Sequence, residues 1–186
     1  NVAPESSLSS WVLTRLRRKL HFAPKSVKCK AYTACVLPIV EYGSTCWSLT
    51  NSLEMVHHNA AKFVSNSYPR KGDYKNFSIS KVLNDLEWDS LQERREHARL
   101  TMAFKILQGN LILEPSMIPK MKFQRPMREC NQSKVDPNNK LIEPYYRLDV
   151  AGSTFFYATP KLWNISISPL QANAPSVDAF KSHFKK

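Results

Sequence analysis

The segment SLQERREHARLTMAFKILQG, residues 90–109, has the strongest helix signals in the chain. Ser90 and Glu93 have the spacing of a capping box, in which two side chains satisfy free backbone N–H groups at the start of a helix. Gly109 suits the position just beyond a helix, where a left-handed backbone favours glycine. The first half of the stretch is charged, whereas residues 100–107 are apolar on nearly every side. We therefore predict one long helix whose second half is buried among other helices.

The sequence before this helix repeats the spacing of amphipathic helices, with apolar residues three or four positions apart. The predicted buried rows are Leu8, Val12, Leu16 and Leu20 beside Leu13, then Val27, Ala31, Cys35 and Ile39, then Leu53, Val56, Ala60, Phe63 and Val64, then Ile79, Val82, Leu83 and Leu86. Pro24 suits the first turn of the second helix, and Ser78 suits the cap of the fourth. Together these segments predict a helical bundle over residues 1–109.

The character of the chain changes after Gly109. Prolines recur and the regular spacing of apolar residues is lost, so we place a domain boundary near Asn110. Residues 145–157 are rich in aromatic and β-branched side chains and carry Gly152 past their middle, which predicts a small hairpin. A last helix is expected from Ser176, with Val177, Phe180 and Phe184 on one side. The predicted fold class is thus mainly α, a helical bundle followed by a small, irregular α+β extension over residues 110–186.

The composition agrees with a folded chain that binds a polyanion. Of the 186 residues, 42% are hydrophobic, which is enough to build a core. Lys and Arg number 27 against 15 Asp and Glu, and the formal net charge of +12 favours nucleic acid over an acidic small molecule as partner. Neither a signal peptide nor a membrane-spanning run is visible, so we expect an intracellular protein, in nucleus or cytoplasm, without a membrane partner. The chain begins at Asn1 and enters a helical pattern almost at once, as a piece of a longer polyprotein would.

The most informative feature is a segment with charges of one sign. No Asp or Glu occurs between Ser6 and Val40. The cations of this segment are the candidate nucleic-acid-binding residues Arg15, Arg17, Arg18, Lys19, Lys25, Lys28 and Lys30. Closely spaced cations bind phosphates without reading bases, and Arg adds bidentate geometry. A second set, Arg94, Arg95 and Arg99, is interleaved with Glu93 and Glu96, and local salt bridges explain it equally well.

The sequence predicts no catalytic residues, no metal ligands and no cofactor of its own. There is no Cys-x-x-Cys pair, no phosphate-binding glycine loop and no nucleophile elbow. Cys29, Cys35 and Cys46 are interpreted as small reduced core residues, and His57 and His58 as surface or hydrogen-bonded core residues. Trp11, Trp47, Trp88 and Trp163 could stack on nucleic-acid bases, although we expect them to pack in the core.

Several segments, in this order, resemble the region after the polymerase core in jockey-like and chicken-repeat-like non-LTR retrotransposons. These elements encode an endonuclease and a reverse transcriptase in one reading frame. The matching segments are LRRKL (16–20), APKSVK (23–28) with AY (31–32), PIVEYGS (38–44) with Trp47, LEMV (53–56) with AAKFV (60–64), LEW (86–88) with Leu91 and RR (94–95), ARL (98–100) with KI (105–106) and Gly109, and FF (155–156) with LWN (162–164) and FK (180–181).

This resemblance implies a thumb-like helical bundle with a C-terminal extension, which holds RNA or DNA through phosphates against the rest of the reverse transcriptase. The palm, with its Tyr-x-Asp-Asp signature and magnesium ions, has no counterpart in this sequence, so the chain is not expected to polymerise alone. Two other functions stay open. The chain could be a helical protein-interaction module that docks on a partner or on the missing palm, and membrane-surface binding is a distant third.

Overall fold

A computed structural model describes residues 4–43, 51–68, 77–114, 117–122 and 139–184. These residues form α1 (Pro4–Lys19), α2 (Lys25–Cys35), α3 (Leu37–Glu41), α4 (Asn51–Ser65), α5 (Ile79–Asp85), α6 (Leu91–Leu107), α7 (Asp149–Gly152), α8 (Phe155–Ser166), α9 (Pro169–Ala172) and α10 (Val177–Ser182). The fold is mainly α, as predicted. No helix in the part of the chain that the structure describes is both long enough and apolar enough to cross a bilayer.

The chain divides into two compact units, and the first comprises residues 4–43, 51–68 and 77–94 of the described chain. In this unit α4 packs against α1, α2 and α5. The predicted buried row of α4 is confirmed, and the main core consists of Leu13, Tyr32, Val36, Leu37, Val40, Leu53, Val56, Ala60, Phe63, Val64 and Leu91. Val82 and Leu83 of α5 pack with Ala61 of α4 in a smaller cluster. The helical spacing of the sequence therefore identifies the parts of this core that α4 and α5 contribute.

The buried row of α2 differs from the predicted one, whereas the row of α1 differs at its first residue. Leu8 is exposed, but Leu13 is buried and Val12, Leu16 and Leu20 pack against the same core, as predicted. On α2 and α3 the buried row is Lys28, Tyr32, Val36 and Val40, one position after the predicted row, so Val27 and Cys35 are exposed. One residue corresponds to about 100° around a helix, enough to exchange buried and exposed faces. The prediction was wrong because Lys28 and Tyr32 were left out of the apolar row on account of their polar end groups. Their long side chains nevertheless cover apolar surface.

The predicted long helix α6 is confirmed at both ends. The N–H of Ser90 donates to Glu93 Oε2 at 3.0 Å, and the N–H of Glu93 donates to Ser90 Oγ at 3.2 Å. Gly109 has a positive φ of 71°, and the N–H of Asn110 closes on the carbonyl of Lys105. These local hydrogen bonds fix where α6 begins and ends.

The second unit comprises residues 95–114, 117–122 and 139–184 of the described chain, and its core surrounds the apolar half of α6. Phe180 of α10 stacks on Phe104 of α6, with ring centroids 4.4 Å apart, and also lies parallel to Trp163 of α8 at 5.9 Å. The Ser176 side chain caps α10 by accepting from the N–H of Ala179. The predicted terminal helix, with Phe180 on its buried side, is confirmed.

The expected hairpin over residues 145–157 is wrong, because α7 and the start of α8 occupy this stretch. Phe155, Thr159 and Trp163 recur every four residues and are all buried, so the helical row outweighs the β preference of the aromatic side chains. Gly152 serves packing, since a Cβ there would lie 2.6 Å from the ring of Tyr146. Among the described residues, the bridge between Met121 and Leu141 is the sole β pairing. The described residues of the extension are therefore helical rather than α+β. The division of the chain into domains at 1–109 and 110–186 stays a prediction.

Candidate nucleic-acid interface

The outer face of α1 carries the exposed cations Arg15, Arg18 and Lys19. These residues are three and four positions apart, so they share one side of the helix. α1 adopts this orientation because Leu13 is buried and Leu16 and Leu20 pack beside it in the core of the first unit. We call Arg15, Arg18 and Lys19 the α1 cation face. It is the group of candidate residues that the structure brings together on one helix surface.

Arg17, on the same helix, faces α4 instead. Its Nη2 donates to the carbonyl of Asn59 at 2.9 Å, and its guanidinium carbon lies 6.0 Å from the ring centroid of Tyr68. The side chain is half-buried, and its Nε is among the described buried nitrogens without a hydrogen-bond partner. Arg17 therefore joins α1 to α4 and is separate from the α1 cation face.

Lys28 is buried within the first unit, with only 1% of its surface exposed. Its ammonium donates to Asn66 Oδ1 at 2.9 Å and lies 4.9 Å from the ring centroid of Phe63. Asn66 has a positive φ of 52° and follows the last residue of α4, where free carbonyl groups attract a cation. In this arrangement Lys28 stabilises the contact of α2 with the end of α4.

Lys25 and Lys30, the remaining candidates, are both exposed on α2. The ammonium of Lys25 lies 3.4 Å from the carbonyl oxygen of Asp85, the last residue of α5. Lys25 and Lys30 are five positions apart, which corresponds to about 140° around the helix. The two side chains therefore point in different directions, and α2 has no cation row comparable with the α1 cation face.

The second predicted set of cations is held in internal contacts. Arg94 forms an ion pair with Glu41 of α3. Burial lowers the pKa of Arg94, but its hydrogen bond to Glu41 and the charge of that carboxylate outweigh this effect and raise the pKa overall. Arg95 is buried, and Arg99 donates to the carbonyl of Ser153 at 3.2 Å. These contacts favour a structural role for the arginines of α6.

His57 is a hydrogen-bonded core residue, one of the two interpretations that the sequence allowed. Its Nδ1 lies 2.7 Å from the Tyr32 hydroxyl and its Nε2 lies 3.2 Å from the carbonyl of Asp89. Burial lowers the pKa of His57 from 6.5 to about 4 and raises the pKa of Tyr32. Trp88 stacks on both rings, at 4.8 Å from Tyr32 and 5.4 Å from His57. Across the described ranges no group of three or more His, Cys, Asp or Glu side chains is arranged to hold a metal ion.

The tryptophans divide between core and surface. Trp163 is buried and Trp88 packs against the core, as predicted, and Trp47 lies outside the described residues. Trp11 is 57% exposed, so the expectation that it packs in the core was wrong. The guanidinium carbon of Arg15 lies 4.8 Å from its ring centroid. Sequence reasoning missed this pair, although the four-residue spacing of Trp11 and Arg15 was visible.

Comparisons with protein-family models, with curated proteins and with solved structures found no match to this chain.

Proposed function

We propose that this chain is the nucleic-acid-gripping C-terminal part of a retrotransposon reverse transcriptase, an RNA-directed DNA polymerase. The proposal rests on the resemblance of its ordered segments to the region after the polymerase core in non-LTR elements. A mainly helical fold is compatible with a thumb-like role. The chain itself does not polymerise under this proposal, since the palm with its magnesium ions lies on another segment. It acts inside the cell, in the nucleus or cytoplasm, together with the rest of the enzyme.

The observation that carries the proposal is the α1 cation face. Arg15, Arg18 and Lys19 project from one helix side, and the segment from Ser6 to Val40 has no acidic residue to neutralise them. Helix geometry separates Arg15 from Lys19 by about 6 Å along the axis. Such closely spaced cations suit consecutive phosphates of a nucleic-acid strand, and they release condensed counterions when they bind. Lys25 and Lys30 add positive charge on the neighbouring helix, whereas Lys28 and Arg17 support the fold.

The test is a binding measurement on the full chain with short single-stranded and duplex RNA and DNA. The triple variant Arg15→Glu, Arg18→Glu and Lys19→Glu should lower affinity at least about tenfold, since one charge-assisted contact is worth about 1.5 kcal/mol or more. The matched control changes Lys81, Lys161 and Lys181, all exposed, to Glu. It alters the net charge equally but leaves α1 intact. Equal affinities of the two triple variants would remove the α1 cation face from the account.

Protein docking is the second candidate function, and a surface of the second unit favours it. An open cavity of about 390 Å³ is lined mainly by apolar side chains, among them Ile118, Ile142 and Phe156. These three side chains are exposed. Ile142→Asp should abolish binding to a separately produced polymerase core if docking is the function, and should leave RNA affinity unchanged. The triple variant of α1 should have the opposite pattern if nucleic-acid binding is the function.

A further inference from the structure

Two large aromatic side chains are exposed at the ends of the α1 cation face. Trp11 lies about one helical turn before Arg15 and is 57% exposed. Phe22 lies in the turn between α1 and α2 and is 97% exposed. The ring of Phe22 has an edge contact with the neighbouring His21, at 4.7 Å between centroids. Leaving such rings in water forgoes the free energy of burying them, which is a considerable cost in a fold this small. Because both rings lie beside the α1 cation face, they are available to a ligand that contacts those cations.

The positions of these rings alternate with those of the cations. Trp11, Arg15 and Arg18 are spaced by four and three residues, which places them on one helix side, and Phe22 follows four residues after Arg18. The N–H of Leu20 still bonds to the carbonyl of Leu16, so the helical path continues one residue beyond Lys19. An aromatic ring, cations and a second aromatic ring thus succeed one another along α1 and its following turn.

We propose that α1 and this turn bind unpaired, single-stranded nucleic acid, with Trp11 and Phe22 stacking on bases and the α1 cation face contacting phosphates. This inference rests on the proposed function and specifies its substrate class. Base–aromatic stacking is tolerant of sequence because every base has a π-face. In a duplex the base faces are covered by neighbouring base pairs, so the rings can contribute only to binding of an unpaired strand.

The contact of Arg15 with Trp11 supports this ligand. The Arg15 guanidinium lies over one face of the Trp11 ring, so a cation stands directly beside the ring that would stack on a base. A purely apolar partner, such as a protein or a membrane, would also cover Trp11 and the nearby exposed Leu8. The uninterrupted positive charge of the segment is complementary to a polyanion, which favours nucleic acid over a neutral apolar surface.

The experiment separates stacking from apolar contact. A double variant, Trp11→Leu and Phe22→Leu, keeps large apolar side chains but removes both π-faces. A second variant, Trp11→Phe, keeps an aromatic ring. Both are measured as full chains, with circular dichroism to verify the helical fold, against a single-stranded RNA and a fully paired RNA duplex of equal nucleotide number at one fixed salt concentration. The change is confined to exposed positions, so the fold should be retained.

The double leucine variant should lose about tenfold to a hundredfold in affinity for the single strand, from two stacking contacts, and less than about threefold for the duplex. Trp11→Phe should bind the single strand nearly as the unmodified chain does. Retained single-strand affinity in the leucine variant, or an equal loss for both RNAs, would overturn the inference. If the charge-reversed triple variant of α1 still loses affinity in that case, the proposed function survives without its preference for unpaired strands. Absence of any nucleic-acid binding by the unmodified chain would remove both.

Discussion

The Tyr32 hydroxyl and His57 Nδ1 lie 2.7 Å apart in the core of the first unit. A carbonyl oxygen can only accept, so the contact of His57 Nε2 with the carbonyl of Asp89 assigns the imidazole proton to Nε2. Nδ1 is then an acceptor, and the Tyr32 hydroxyl donates to it. This chain of hydrogen bonds requires a neutral imidazole, and burial lowers the pKa of His57 to about 4.

The first prediction is a loss of stability in mild acid. In the unfolded chain the His57 imidazole is protonated near pH 6.5, whereas in the folded chain it is protonated only near pH 4. The stability present above pH 6.5 is therefore lost as the pH falls from 6.5 to 4, by about 2 to 3 kcal/mol in the free energy of unfolding. Urea unfolding at pH 7 and pH 4.5 measures this loss.

The variant His57→Gln cannot take up this proton, so it should be less stable at pH 7 but lose about 2 to 3 kcal/mol less on acidification. His21→Gln, at an exposed position, is the matched control and should retain the pH dependence of the unmodified chain. An identical acid response of His57→Gln and the unmodified chain would contradict the role given to His57.

The second prediction separates Lys28 from its exposed neighbour on α2. Lys28→Ala should lower the free energy of unfolding by about 1 to 3 kcal/mol, because it removes a buried stem and leaves Asn66 Oδ1 without its donor. Lys30→Ala changes an exposed side chain and should stay within about 0.5 kcal/mol. Thermal or urea unfolding of both variants provides the comparison, and equal stabilities would show that the buried ammonium contributes nothing.

The third prediction concerns the start of α6. Ser90→Ala should destabilise the chain by about 1 kcal/mol, since the N–H of Glu93 loses its acceptor. Ser80→Ala, at an exposed position inside α5, is the matched control and should change stability by less than about 0.5 kcal/mol. Urea unfolding measures both. A Ser90→Ala variant as stable as the control would mean that the capping box contributes nothing measurable.

The sequence predicts the features of this fold that depend on neighbouring residues. The ends of α6 follow from Ser90, Glu93 and Gly109 because capping is decided within one or two turns. The buried row of α4 follows from the spacing of its apolar residues. Both predictions require no knowledge of the tertiary contacts, and the structure confirms both.

Predictions that depend on distant partners were the ones that failed. Lys28 is buried because its ammonium contacts the ring of Phe63 in α4 and the side chain of Asn66, which follows α4. No spacing rule for apolar residues includes a lysine. The predicted second strand of the hairpin is replaced by the start of α8, because the row that begins at Phe155 packs with Phe104 and Phe180 in one core. Aromatic composition alone cannot distinguish that row from a strand.

The candidate site was predictable as a charged segment but not as a surface. The sequence identified every cation between Ser6 and Val40, whereas only the fold separates Arg15, Arg18 and Lys19 from the inward-facing Arg17 and Lys28. The exposure of Trp11 was missed because tryptophan is more often buried than exposed. The orientation of α1 decides both outcomes.

The salt dependence of binding to a single-stranded RNA measures how many phosphates the α1 cation face contacts. The neutral triple variant Arg15→Gln, Arg18→Gln and Lys19→Gln should make the slope of log affinity against log salt concentration shallower by about 2, or about 0.7 for each lost phosphate contact. The matched variant Lys81→Gln, Lys161→Gln and Lys181→Gln should retain the slope of the unmodified chain. An unchanged slope in the α1 variant, or the same change in both variants, would contradict a phosphate grip on α1.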